Sequence, residues 1–188
     1  MNDTPHIKNK ENLFTAGWLR LDLLHYVDRS GHARKWEAAQ RVNSNGAVLM
    51  IAELRASGEI ILIRQYRPPA DKYVLEFPAG LIDDGETPAE TAVRELLEET
   101  GYHGTVTEVS LPGFNSPGMS GEMIYTVSMT VDNTAGRNLQ PVSRQEESED
   151  IETFLVRKDK LEGFLHDAAG NGWGIDAKII TYARGLRV

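Results

Sequence analysis

Gly80-Leu81-Ile82-Asp83-Asp84-Gly85-Glu86, continuing through Thr87-Pro88-Ala89-Glu90-Thr91-Ala92-Val93 to Arg94-Glu95-Leu96-Leu97-Glu98-Glu99-Thr100-Gly101-Tyr102, is the stretch that decides how this chain folds. Its second half reads as one amphipathic helix with both ends marked. Thr87 is a good N-cap, Pro88 suits the first helical position, and Glu90 stands three residues past the cap, as in a capping box. Ala89, Ala92, Val93, Leu96 and Leu97 recur at helical spacing and predict the buried stripe. Gly101 offers the left-handed residue with which many helices end. Glu95, Glu98 and Glu99 then share one turn beside the stripe, because residues three and four apart are neighbours on a helix. Glu86 stands just before them.

Acids at a helix C-terminus oppose the helix dipole. Arg94 is the only lysine or arginine between Asp83 and Gly101 to offset them. A solvated acidic face is the ordinary reading of a charge run, but such a face is usually laced with lysines, which this one lacks. A cluster of hard oxygen ligands without cysteine or histidine suits Mg²⁺ or Mn²⁺. Such a cation would gather the carboxylates and could handle phosphates.

Working outward, 188 residues suit one domain with a sizeable core and a small appendage. A formal charge of −8 argues against nucleic acid as a bulk electrostatic partner. It leaves room for a small anionic ligand, since a bound metal reverses the local field. The absence of cysteine removes disulfides, thiolate metal sites and a cysteine nucleophile. No apolar run approaches membrane-spanning length and Met1-Asn2-Asp3-Thr4 begins no signal-peptide core, so no membrane partner is expected and a cytoplasmic protein, with the nucleus as a further address, is.

Residues 1–14 are polar and are expected to be mobile. Trp18 to Val27 and Lys35 to Val42 read as strands joined by a turn at Asp28-Arg29-Ser30-Gly31, giving an N-terminal β extension over 15–43. Ala47 to Leu54 and Glu59 to Arg67 predict a hairpin of buried strands, and Tyr73 to Phe77 a short strand entering the glutamate loop. Thr105 to Leu111, Met123 to Val131 and Ile151 to Val156 are further strands; Lys158 to Ala168 and Asp176 to Leu186 read as helices. Trp173, in the loop Gly170-Asn171-Gly172-Trp173-Gly174, is expected to pack against the helices it joins. The order predicts an α+β fold, a mixed β-sheet sandwiched between helices over 44–188.

The pattern G-x5-E-x7-R-E-[apolar]-x-E-E-x-G-[apolar] runs without a gap from Gly80 to Tyr102. It resembles the Nudix box, and the chain resembles the Nudix hydrolases. Gln65-Tyr66-Arg67-Pro68-Pro69, Glu76-Phe77-Pro78-Ala79-Gly80 and Ser116-Pro117-Gly118-Met119-Ser120 are similar to the ADP-ribose pyrophosphatase (ADP-sugar diphosphatase) group, its eukaryotic members above all. The resemblance implies the Nudix fold. It also implies that Glu95, Glu98, Glu99 and the backbone carbonyl of Ala79 hold Mg²⁺, that Arg94 orients the acids and that Glu98 takes part in catalysis. Glu149, in the second acidic loop Glu146-Glu147-Ser148-Glu149-Asp150, is the implied general base. Trp18 and Trp36 occupy positions that sandwich adenine in the group, Arg41 and Arg67 align with arginines that contact substrate, and Leu81, Ser116 and Gly118 line its substrate site. A homodimer with exchanged N-terminal strands is also implied.

One departure stands out: the group's loop reads Asp-Pro-Gly-(Leu/Met)-(Ser/Thr)-Asn, whereas this chain has Ser116 and Gly121 at its ends. The missing acid and amide bear on the choice of ADP-sugar more than on the reaction. Three functions are therefore carried forward. The first is Mg²⁺-dependent hydrolysis of ADP-ribose to AMP and ribose 5-phosphate, by attack of water on phosphorus. The second is hydrolysis of oxidised nucleoside diphosphates such as 8-oxo-dGDP. The third is a non-catalytic nucleotide-sensing Nudix domain, against which the intact set of acids argues.

Overall fold

A computed structural model describes residues 4–145 and 150–186 and divides the chain into two units. The first takes the chain up to Ala47 together with Pro112–Ile124; the second takes Val48–Leu111 and the chain from Tyr125 onward. The expected boundary near residue 43 therefore omits Pro112–Ile124, which joins the first unit. The reason is hydrogen bonding to the third strand: Ala39 N donates to Met119 O (2.9 Å) and Gly121 N to the Gln40 side chain (3.3 Å).

In the first unit, β1 (His6–Thr15), β2 (Leu19–Val27) and β3 (Ala33–Arg41) form an antiparallel sheet in that order. The turn between β2 and β3 falls where expected, with Gly31 at φ 82°. Asp28 Oδ1 accepts from the backbone N–H of Ser30 and of His32, both at 2.9 Å, which shapes the turn. Within the segment 1–14 expected to be mobile, the structure has β1 from His6 onward. Polarity suggested mobility, but the polar groups pair across the strands: Asn12 Nδ2 donates to Asp22 Oδ1 (3.1 Å) and His25 Nε2 lies 3.1 Å from Glu11 Oε2.

In the second unit, β4 (Ala47–Leu54), β5 (Glu59–Arg67), β6 (Lys72–Glu76), β8 (Gly104–Val109), β10 (Met123–Val131) and β12 (Gly174–Ile175) lie in the order β12-β6-β5-β4-β10-β8. Alongside this path, β7 (Ala79–Leu81) pairs with β4 and β11 (Glu152–Arg157) with β5; within the first unit, β9 (Gly113–Phe114) pairs with Met123 and Ile124, the two residues of β10 that belong to that unit. The sheet is mixed, since β12 runs parallel to β6 and the other registered pairs are antiparallel.

The predicted β4–β5 hairpin forms only at its corner, where Glu53 pairs with Ile60. Beyond it β5 pairs with β11 over Glu59–Arg64 and with β6 over Ile63–Arg67. Packed on both faces, Ile60, Ile61, Leu62 and Ile63 are fully buried in succession, which is why β5 reads as a continuous apolar run.

Three α-helices complete the described residues: α1 (Pro88–Thr100), α2 (Leu161–Gly170) and α3 (Ala177–Gly185). α1 packs on β7 and β8; α2 packs on β11, β12 and α3. Val48, Met50, Ala52 and Leu54 of β4 meet Val127, Met129 and Val131 of β10 and Ala92 and Leu96 of α1 in one core. Trp173 differs from expectation. Its ring packs on Phe154 of β11 (centroids 5.5 Å apart) and under the Arg64 guanidinium of β5 (4.2 Å), so it seals strands rather than joining helices.

Candidate active site

The site is built on α1. Its entry matches the sequence pattern: Thr87 Oγ1 accepts from Glu90 N (3.3 Å) while Thr87 N donates to Glu90 Oε2 (2.9 Å). Its exit is Gly101, at φ 77°, whose N–H donates to Leu97 O at 2.9 Å.

The buried face is rotated from the predicted stripe. It comprises Thr91, Ala92, Leu96, Glu99 and Thr100, while Val93 is 41% exposed. Apolar periodicity misses this face because two members are threonines satisfied within or beside the helix. Thr91 Oγ1 donates to Thr87 O and Glu86 Oε2, and Thr100 Oγ1 to Leu96 O. The rotation carries Glu99 into the interior, at 3% exposure. There its Oε2 accepts the Ala79 N–H at 3.0 Å, tying the helix to β7.

Arg94 organises the other acids. Nε and Nη2 fork onto Glu86 at 2.9 and 2.8 Å. Nη1 donates to Glu95 Oε1 (2.9 Å) and Glu98 Oε2 (3.0 Å), and Nη2 also reaches Leu81 O (3.3 Å). Bonding to Arg94 pulls the Glu86 carboxyl from its ordinary 4.5 down to about 2. The same acids, Glu86 foremost, raise Arg94 above its ordinary value. Gly80 makes room for the arrangement, since a Cβ there would lie 1.9 Å from the Glu95 carboxyl carbon.

The structure thus gathers Arg94, Glu95, Glu98, Glu99, Ala79 and Leu81, with Glu86 as a fourth acid. Among the described residues no three His, Cys, Asp or Glu side chains stand at metal-holding spacing. Glu86, Glu95 and Glu98 are instead turned onto Arg94. The donor set nonetheless fits a hard divalent cation: it is all oxygen, the acids outnumber the base, and the ends of Glu95 and Glu98 can rotate without moving backbone.

Arg67 stands in the same unit and forks onto Glu76 at 2.8 and 2.6 Å. Glu76 is the first cause of its raised pKa, and the field of Glu99 adds to it. Glu76, 8% exposed, was not singled out by the sequence reading.

Trp18, Trp36, Arg41, Ser116 and Gly118 belong to the first unit. Trp18 is 78% exposed and Trp36 50%. Trp36 Nε1 donates to Gly118 O (3.0 Å), and the ring lines an apolar groove of about 410 Å³ with Leu24, Phe114 and Met119. Ser116 O receives Met119 N and Ser120 N, folding the loop into a turn. Arg41 is ion-paired with Glu122 beside a second, polar pocket of about 240 Å³ that Arg20 and Asn45 also line. Glu149 lies outside the described residues.

Residues 44–177 match the model of the NUDIX domain. The chain is 35% identical to the ADP-sugar pyrophosphatase of Mus musculus, covering 97% of this chain and 88% of that one. It is 36% identical to the ADP-ribose pyrophosphatase of Saccharomyces cerevisiae, covering 96% and 80%. A solved structure described as an ADP compounds hydrolase superimposes with a TM-score of 0.71 at 21% identity, over 98% of this chain and 92% of that one, which shows the shared fold. Nudix ADP-ribose pyrophosphatases depend on a divalent metal. A NUDIX-domain match over residues 44–177, with relatives 35% and 36% identical over most of the length, makes this chain a member of the Nudix family.

Proposed function

We propose that this protein hydrolyses the diphosphate bond of ADP-ribose and related ADP-sugars to AMP and ribose 5-phosphate, with Mg²⁺ as cofactor and Mn²⁺ able to replace it. The observation that carries the reading is the acid cluster itself: Glu95, Glu98 and Glu99 are held on one turn of α1, around Arg94 and against β7. The names of the mouse and yeast relatives support the choice of substrate.

Glu95, Glu98, Glu99 and the Ala79 carbonyl would hold the cation, which supplies charge neutralisation at the diphosphate and a lower pKa for the attacking water. The protein's own groups do the rest. Arg94 holds the carboxyl groups of Glu86, Glu95 and Glu98 in place by hydrogen bonds to all three, so the acids are positioned before a cation arrives. Arg67, held rigid by Glu76, presents a permanent positive charge to a phosphate oxygen. The exposed faces of Trp18 and Trp36 offer flat platforms for adenine, and Arg41, paired with Glu122, is the proposed substrate-contacting cation of the same unit. Glu149 is the proposed base for the attacking water. The outward apolar side chains Ile7, Leu13, Phe14 and Trp18 on and beside β1 support a homodimer with exchanged N-terminal strands.

Product analysis with ADP-ribose and Mg²⁺, comparing wild type with Glu98→Gln, tests this reading. AMP and ribose 5-phosphate from wild type, with severe loss in the variant, are expected. No turnover of ADP-ribose but turnover of 8-oxo-dGDP would reassign the substrate. Nucleotide binding without any turnover would make the protein a sensor.

A further inference from the structure

The connection between β10 and β11 is anchored by two side-chain amides used in the same way. Asn138, only 3% exposed, accepts from His103 N (2.8 Å) and donates to His103 O (3.1 Å) and Asp132 O (3.0 Å). Gln145 repeats the device on Ile151: Oε1 accepts Ile151 N at 3.0 Å, and Nε2 donates to Ile151 O at 2.8 Å. A carboxamide carries both donors and an acceptor, so it can answer the two backbone groups of one residue as a neighbouring strand would.

Between these anchors the chain is laid along the C-terminal turn of α1. A Cβ on Gly101 would stand 2.4 Å from Val142 N and 2.8 Å from the Pro141 carbonyl carbon. Arg144 N donates to Glu98 O at 2.7 Å, and Gln145 Nε2 reaches Glu99 O at 3.5 Å.

The last four carbonyls of a helix have no partner within it. In α1 two of these four belong to Glu98 and Glu99, the residues whose carboxylates form the candidate metal site. Their charges sit where the helix dipole disfavours them, so this turn has reason to fray. The partners that hold it come from outside the helix, from Arg144 and Gln145.

We infer that Gln145 is a positioning residue for the acid site. By clamping onto Ile151 it keeps Arg144 and itself against the Glu98 and Glu99 carbonyls, and so holds the last turn of α1 in the geometry that receives a divalent cation. This rests on the metal-dependent reading given above. Gln145 touches neither cation nor substrate; it acts through backbone. The amide is specific to the task. Glutamate at this position could still accept from Ile151 N but could not donate to Ile151 O or Glu99 O, and alanine could do neither.

The experiment measures Mn²⁺ binding by electron paramagnetic resonance in wild type, Gln145→Ala and Gln145→Glu, beside amide hydrogen exchange and thermal melting of each. Mn²⁺ affinity is expected to fall roughly fivefold in both variants, the effect of losing about one net hydrogen bond. Exchange should quicken across Glu98–Gly101, and Tm should move by only a few degrees. KM for ADP-ribose should hold while the metal concentration for half-maximal kcat rises. Wild-type Mn²⁺ affinity in Gln145→Ala, with faster exchange at Ile151, would overturn the inference and leave a purely structural clamp. If Gln145→Ala does not fold, Gln145→Glu, which keeps the bond from Ile151 N, decides by the same comparison. Wild type that binds no Mn²⁺ would instead overturn the metal-dependent reading, and this inference with it.

Discussion

At the scale of the residue, one guanidinium makes the acid cluster possible. Arg94 divides its N–H groups among Glu86, Glu95 and Glu98, and the space for Glu95 exists because residue 80 has no side chain. In Gly80→Ala the new methyl group would meet the movable end of Glu95 rather than backbone. Stability should change by less than about 1 kcal/mol, while kcat should fall up to roughly 100-fold, as misplacement by about 1 Å can cost that much. Urea melts and Mg²⁺-dependent turnover of the same sample separate the two effects. Glu86 carries a second expectation. Its carboxyl is held at about 2 against an ordinary 4.5, so the folded state favours its ionised form. That contribution is complete above about pH 4.5 and is lost as pH falls toward about 2. The urea midpoint of wild type should drop through that window, and Glu86→Gln should show a shallower drop.

At the scale of the element, α1 has both ends written in local chemistry. Thr87→Ala removes the acceptor for Glu90 N and should cost about 1 kcal/mol. Gly101→Ala combines a left-handed backbone with a 2.4 Å approach to Val142 N, and should cost roughly 2–5 kcal/mol; chemical denaturation of both variants measures the contrast. The caps were legible because each depends on neighbours within four residues. The buried face was not, since Thr91, Glu99 and Thr100 are buried by partners that periodicity does not register: a helix carbonyl for each threonine and the Ala79 N–H for Glu99. β1 escaped for a related reason, as its polar side chains are satisfied across the sheet by Asp22 and His25. Strands of two or three residues, β7, β9 and β12, are too short to show any period and exist only through their partners.

At the scale of the whole molecule, a cation that binds the folded state and not the unfolded one must raise stability by mass action. At ten times its Kd, Mg²⁺ should add about 1.4 kcal/mol, a shift of a few degrees in Tm. Chelation should abolish both the shift and turnover, and Glu98→Gln should melt alike with and without metal. The acid half of the site could be read from one continuous stretch because helical spacing brings its members together. Gln145 and Glu76 could not, since one acts on a residue across the β10–β11 connection and the other on Arg67 of the neighbouring strand. The placement of the three tryptophans has a practical consequence. Trp18 and Trp36 stand exposed in one unit, while Trp173, partly buried, lies in the other beneath a guanidinium. A collisional quencher such as iodide should dim the first two far more than the third. The fluorescence that survives quenching would then report on the catalytic unit alone, letting its melting be followed separately from that of the N-terminal strands without adding a label.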